Sequence, residues 1–126
     1  MTEEKLAVLV DRFYARVRAD AILGPVFNGA IANWPEHLEK LTAFWSSVML
    51  TSGRYKGSPM AAHLKHASAI QPAMFDRWLE LWRETAREMP DEDHSAAVIA
   101  KAERIAESLQ LGLFFKLPPE RSAAAA

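Results

Sequence analysis

Cysteine is absent from the 126 residues. Disulfides, thiolate zinc sites, iron–sulfur clusters and a cysteine nucleophile are therefore excluded. Glycine is scarce, at five residues, and no Gly-rich phosphate loop, HExxH or GxSxG occurs. No stretch approaches the ~18 unbroken apolar residues of a membrane span. Neither sign of charge prevails. Fifteen basic against sixteen acidic residues leave a net charge of −1, which provides no field for gathering nucleic acid or anionic lipid. The N-terminal run MTEEKLAVLVDRF puts acids where a signal peptide carries basic residues. A cytoplasmic protein is expected, with neither membrane nor nucleic acid as a partner. Period-two alternation is missing as well, so no strand is expected.

What remains is half apolar and a quarter charged, the balance of one globular domain. Alanine, a strong helix former, occurs 22 times, and there are four tryptophans. Thr2 is placed to cap a first helix, along which Leu6, Leu9, Val10, Phe13, Tyr14 and Val17 recur at spacings of three and four. That pattern fades near Asp20, and Gly24-Pro25 predicts a break. Asn33 caps a second helix with Pro35 in its first turn and Leu38, Leu41, Phe44, Trp45, Val48 and Met49 on one face. The loop TSGRYKGS follows. Ser58-Pro59 then opens a short helix through Met60 and His63 toward His66. Pro72 opens a longer helix bearing Phe75, Trp78, Leu79, Trp82, Ala86 and Met89. Pro90-Asp91 ends it and caps the last, along which run Val98, Ala102, Ile105, Leu109 and Leu113, with Pro118-Pro119 as the stop. The class is all-α, with four main helices and one short one. One domain is expected over 1–119, followed by a disordered Ala-rich tail over 120–126.

Local motifs carry little chemistry. Asp91-x-x-His94 has carboxylate–imidazole spacing, but a capping aspartate with an exposed histidine explains it. His63-x-x-His66 has a chelating spacing, yet no ExxH pair exists to complete a di-iron carboxylate site. More informative is a constellation. His37, Leu41, Phe44 and Val48 form one helix stripe, His63 sits on the short helix, and Tyr14 and Trp78 lie on apolar faces. Singly, each of these reads as core or surface.

Together with the order of segments they resemble a known family. Phe13-Tyr14, Leu23-Gly24-Pro25-Val26-Phe27-Asn28, Trp34-Pro35-Glu36-His37, Phe44-Trp45, Tyr55-x-Gly57-x-Pro59-Met60-x-x-His63 and Phe75-x-x-Trp78-Leu79-x-Leu81 occur in the order found in group III truncated haemoglobins, a bacterial globin family. The resemblance spans residues 1 to about 117. It implies a shortened globin fold, a two-over-two helical sandwich around haem b and its iron. It implies His63 as the proximal iron ligand, and Tyr14, His37, Leu41 and Trp78 on the distal side. Phe27 would pack against the haem plane.

Phe13, Phe44, Trp45 and Met60 have a use against such a ring, although ordinary core packing would use them too. Arg54, Tyr55 and Lys56 are the expected propionate partners, from charge and sequence proximity. His66 has no place in the family pattern and is expected to meet solvent or a propionate. The phenol of Tyr14 and the indole of Trp78 are neutral donors that would stabilise a diatomic ligand drawing negative charge onto its outer atom.

The implied function is binding and carriage of O₂, with NO, CO or peroxide as further ligands, in a monomer or weak dimer. Turnover of the same ligands, as NO dioxygenation or peroxide reduction with a reductase as partner, is the alternative. A non-haem helical interaction protein is the reading in which every residue above is core or surface.

Overall fold

The structure is a computed structural model and describes residues 1–114. The Pro118-Pro119 stop, the domain end at 119 and the tail over 120–126 lie outside those residues. Six α-helices run in order: α1 (Glu3–Ala19), α2 (Leu23–Ala30), α3 (Trp34–Leu50), α4 (Pro59–Leu64), α5 (Pro72–Ala86) and α6 (Glu92–Phe114), with a 3₁₀ turn at Ala67–Ala69 between α4 and α5. No strand occurs among the described residues.

The expected caps form. The side chains of Thr2, Asn33 and Ser58 accept from the backbone N–H groups of Lys5, Glu36 and Ala61, and Asp91 Oδ1 accepts from those of Asp93 and His94. Two expectations change. The break at Gly24-Pro25 is instead the first turn of α2, where the N–H that proline lacks has no helical partner to lose. Gly24 is needed there for another reason: a Cβ would sit 2.7 Å from the Arg18 carbonyl oxygen, so only glycine lets α2 lie this close to the end of α1. The second change is shorter. Helix α4 stops at Leu64 rather than reaching His66, and α5 stops at Ala86, before Met89.

Helix α1 packs on α2, α3 and α5, and α5 packs on α6. Leu6, Val10, Phe13 and Val17 of α1, Trp45 of α3, Trp82 of α5 and Val98 and Ala102 of α6 meet in the core. Trp82 is its centre. Its ring stacks on Trp45 at 4.4 Å and Trp78 at 5.6 Å, and meets Phe13 edge to face at 4.8 Å. Its indole N–H donates to the Val98 carbonyl at 3.1 Å, so the polar tip is satisfied although fully buried.

Polar ties fix the periphery. Asp20 Oδ2 accepts from the N–H groups of Ile22 and Leu23, and its Oδ1 accepts from Arg77 at 2.8 Å. Burial opposes ionisation of Asp20, but Arg77 and those amides outweigh it and hold the carboxyl below its usual range. One side chain thus ties the α1–α2 turn to α5.

Candidate functional site

The core does not fill the space between the helices. A cavity of about 500 Å³ opens beside it, with walls from all six helices. That size lies within the ~300–1,000 Å³ of small-molecule sites, and its walls are mostly apolar, as such sites are. Of the residues singled out from sequence, Tyr14, Phe27, His37, Leu41, Phe44, Trp45, Tyr55, His63, His66 and Trp78 line it.

The geometry around His63 follows from the helix that carries it. Ser58 and Pro59 open α4, and four residues on, the His63 Nδ1 lies 2.6 Å from the Pro59 carbonyl oxygen. A carbonyl only accepts, so Nδ1 carries the proton. In the neutral ring the lone pair then lies on Nε2, the nitrogen a metal would take, and the carbonyl fixes the ring's orientation as the outer partner of a metal-binding imidazole does. The ring lies nearly parallel to Phe75, 6.4 Å away at 28°. Phe75, Ile105 and Leu109 line the cavity with it.

Tyr14 and Trp78 come from α1 and α5. Tyr14 is 4% exposed, packed against Phe13 at 4.7 Å and Phe27 at 5.9 Å. Burial pushes its phenol well above the usual tyrosine range, while the Trp78 indole beside it works in the other direction. The hydroxyl therefore keeps its proton at any working pH and is available as a neutral donor. His37, one turn into α3, meets Trp34 edge to face at 5.9 Å. Burial depresses its pKa, and Lys40 three residues on adds to this, so the imidazole is neutral at pH 7. Leu41 lies one turn further along the same stripe.

Tyr55 reaches the cavity from the loop between α3 and α4. Its ring meets Phe44 edge to face at 5.3 Å. It also folds over Gly57, where a Cβ would lie 2.7 Å from the phenol oxygen.

Four residues named from sequence are placed elsewhere. Arg54 is paired with the Glu3 carboxylate and does not line the cavity, and Lys56 is exposed and does not line it either. Met60 packs toward Phe75, Ala106, Leu109 and Gly112 instead of the cavity. Phe13 is completely buried against Tyr14, Trp78 and Trp82. In their place the structure brings Lys40 and Lys65 to the cavity beside His66. All three are exposed at its rim, with Glu36 3.8 Å from Lys40. Sequence reasoning missed both lysines. The signal for Lys40 was its spacing from His37, three residues on the same helix. Lys65 lies past the end of α4, where no periodicity points.

This donor set fits a haem. The His63 imidazole has Nδ1 engaged by the Pro59 carbonyl and Nε2 available to a metal, apolar and aromatic side chains would cover a broad ring, and the lysines at the rim would match carboxylates on its edge. Among the described residues no three His, Asp or Glu side chains gather to hold an ion by themselves.

Comparison with known proteins agrees. The family model for bacterial-like globins matches residues 2–110. The group 3 truncated hemoglobin ctb of Campylobacter jejuni is 34% identical over 118 residues, which cover 90% of this chain and 92% of that protein. The crystal structure of the group III truncated hemoglobin from Campylobacter jejuni aligns with a TM-score of 0.81 at 32% identity, over 90% of this chain and 92% of the other.

Proposed function

Since the chain belongs to the bacterial-like globin family and has the all-α shortened globin fold, we propose that its cavity holds haem b through His63 and binds O₂ reversibly. The observation that carries this reading is the His63–Pro59 contact, which orients the ring and leaves Nε2 as the nitrogen for a metal, at a cavity with neutral donors in its wall. Haem supplies an iron that takes a diatomic ligand on its open face. The rest is the work of this chain's side chains. Tyr14 O–H and Trp78 N–H offer protons to a ligand that carries partial negative charge, without burying a formal charge of their own. Lys40, Lys65 and His66, exposed at the cavity rim, would hold the propionates. No helix among the described residues is long and apolar enough to cross a membrane.

The test is direct. Protein purified without added cofactor, or mixed with haemin, should carry one haem per chain, extractable by acid acetone because no cysteine exists for a thioether link. The reduced form should bind O₂ and release it on deoxygenation. A chain that takes up no haem would overturn the reading and leave the helical interaction protein in its place.

His37 is expected to control access rather than hold the ligand, because Tyr14 and Trp78 already provide donors. Leu41 lines the cavity one turn along the same stripe and would obstruct a direct approach of His37 to a bound iron. His37→Ala should raise the CO association rate by up to about tenfold and leave O₂ dissociation within about twofold. Flash photolysis measures the first and ligand replacement the second. The ferrous protein without ligand should be five-coordinate. A six-coordinate low-spin ferrous spectrum that vanishes in His37→Ala would show that His37 is itself an iron ligand.

A further inference from the structure

We propose that Glu3, Ser46, Ser52 and Arg54 form a latch that positions Tyr55 at the cavity mouth and thereby sets how long the cavity keeps its ligand. The proposal rests on the reading of the cavity as a haem site. None of the four lines the cavity. Arg54 is bound to the Glu3 carboxylate. Ser46, completely buried on α3, lies 2.7 Å from that carboxylate and 2.7 Å from the Ser52 hydroxyl, and the Arg54 N–H donates to Ser52 at 3.3 Å. A carboxylate only accepts and each hydroxyl has one proton, so the directions are fixed. The Arg54 N–H donates to Ser52, Ser52 to Ser46 and Ser46 to Glu3, while the Arg54 guanidinium returns to Glu3. The ring closes on itself and joins α1, α3 and the loop.

That loop has little else to hold it. Residues 51–54 are all exposed, so apolar burial does not define their path. Thr51 and Gly53 both take left-handed backbone, at φ 58° and 69°, and for Thr51 this conformation is unfavourable unless its surroundings enforce it. The chain leaves Arg54 directly into Tyr55, whose N–H donates to Ser47 Oγ at 2.9 Å and whose ring lies against Phe44 and lines the cavity. Four residues later comes Pro59, the residue that orients His63. Glu3 and Arg54 thus act at a distance, through the placement of Tyr55.

Transfer of haem from the reconstituted protein to a scavenging apoglobin tests this. Glu3→Gln and Ser46→Ala should each accelerate haem loss by roughly five- to tenfold. In a Tyr55→Ala background, where haem loss should itself be accelerated, the same changes should add less than about twofold, because latch and target lie on one path. Unchanged haem loss in both single variants would overturn the latch. So would an acceleration that persists in full without Tyr55, which would show that the ring merely stabilises the fold. Failure of the wild-type protein to take up haem is a separate result and bears on the function proposed above.

Discussion

Replacing His63 with alanine is expected to strip the haem, lowering its affinity by at least roughly 100-fold, since loss of even an outer partner of a ligating histidine costs 10- to 100-fold. The other histidines at the cavity are poor substitutes. His37 lies on α3 one turn before Leu41, on a different wall of the cavity from α4, and His66 lies past the end of α4, exposed at the rim. His66→Ala should accordingly retain haem. Added imidazole should partly restore the spectrum of His63→Ala, because the vacated space accepts the free ring, and it should not alter the wild-type protein in the same way. Haem content per chain and the Soret band report the outcome. Full retention with an unchanged spectrum would remove His63 from its assigned role.

Tyr14→Phe should speed O₂ dissociation about five- to thirtyfold, the equivalent of about 1–2 kcal/mol for a hydrogen bond to a partly charged acceptor. The substitution is clean. The ring is 4% exposed and held between Phe13 and Phe27, so phenylalanine keeps the volume and loses only the hydroxyl. Trp78→Phe should act in the same direction while also disturbing the stack on Trp82. Both donors stand beside one another, so the double variant should fall short of the sum of the singles. Stopped-flow replacement of O₂ by CO gives the rates. Dissociation unchanged in both single variants would mean that neither donor reaches the ligand.

Much of the fold was legible because amphipathic helices write their period into the chain. The residues at spacings of three and four in α1 are the ones buried there, and the caps at Thr2, Asn33 and Ser58 mark real helix starts. Helix α2 was lost because Gly24 and Pro25 carry two meanings. Mid-helix they break the pattern, but in a first turn proline is tolerated and glycine admits a close neighbour. Tyr14, His37, His63 and Trp78 were legible as candidates only through the order of segments, since nothing local separates a wall of a cavity from a wall of a core. Phe13 illustrates the ambiguity, one residue before Tyr14 and wholly buried away from the cavity. Arg54 shows what sequence proximity leaves out. Proximity in sequence to Tyr55 suggested a shared target, but its partner is Glu3, 51 positions away, and no periodicity encodes an ion pair across three elements.

The brevity of α4 has a thermodynamic consequence. Its six residues include none that is buried, so it contributes little to its own persistence, and helices of this length do not stand alone in water. What fixes it is the packing of Met60 on α5 and α6, to which a group seated against His63 would add. Occupancy and cohesion then become two readings of one free energy: a ligand present at 100 times its Kd adds about 2.7 kcal/mol to resistance against unfolding. If the cavity holds haem as proposed, the melting temperature should rise with the logarithm of free haem, and amide exchange across residues 59–64 should respond first to the cofactor's departure.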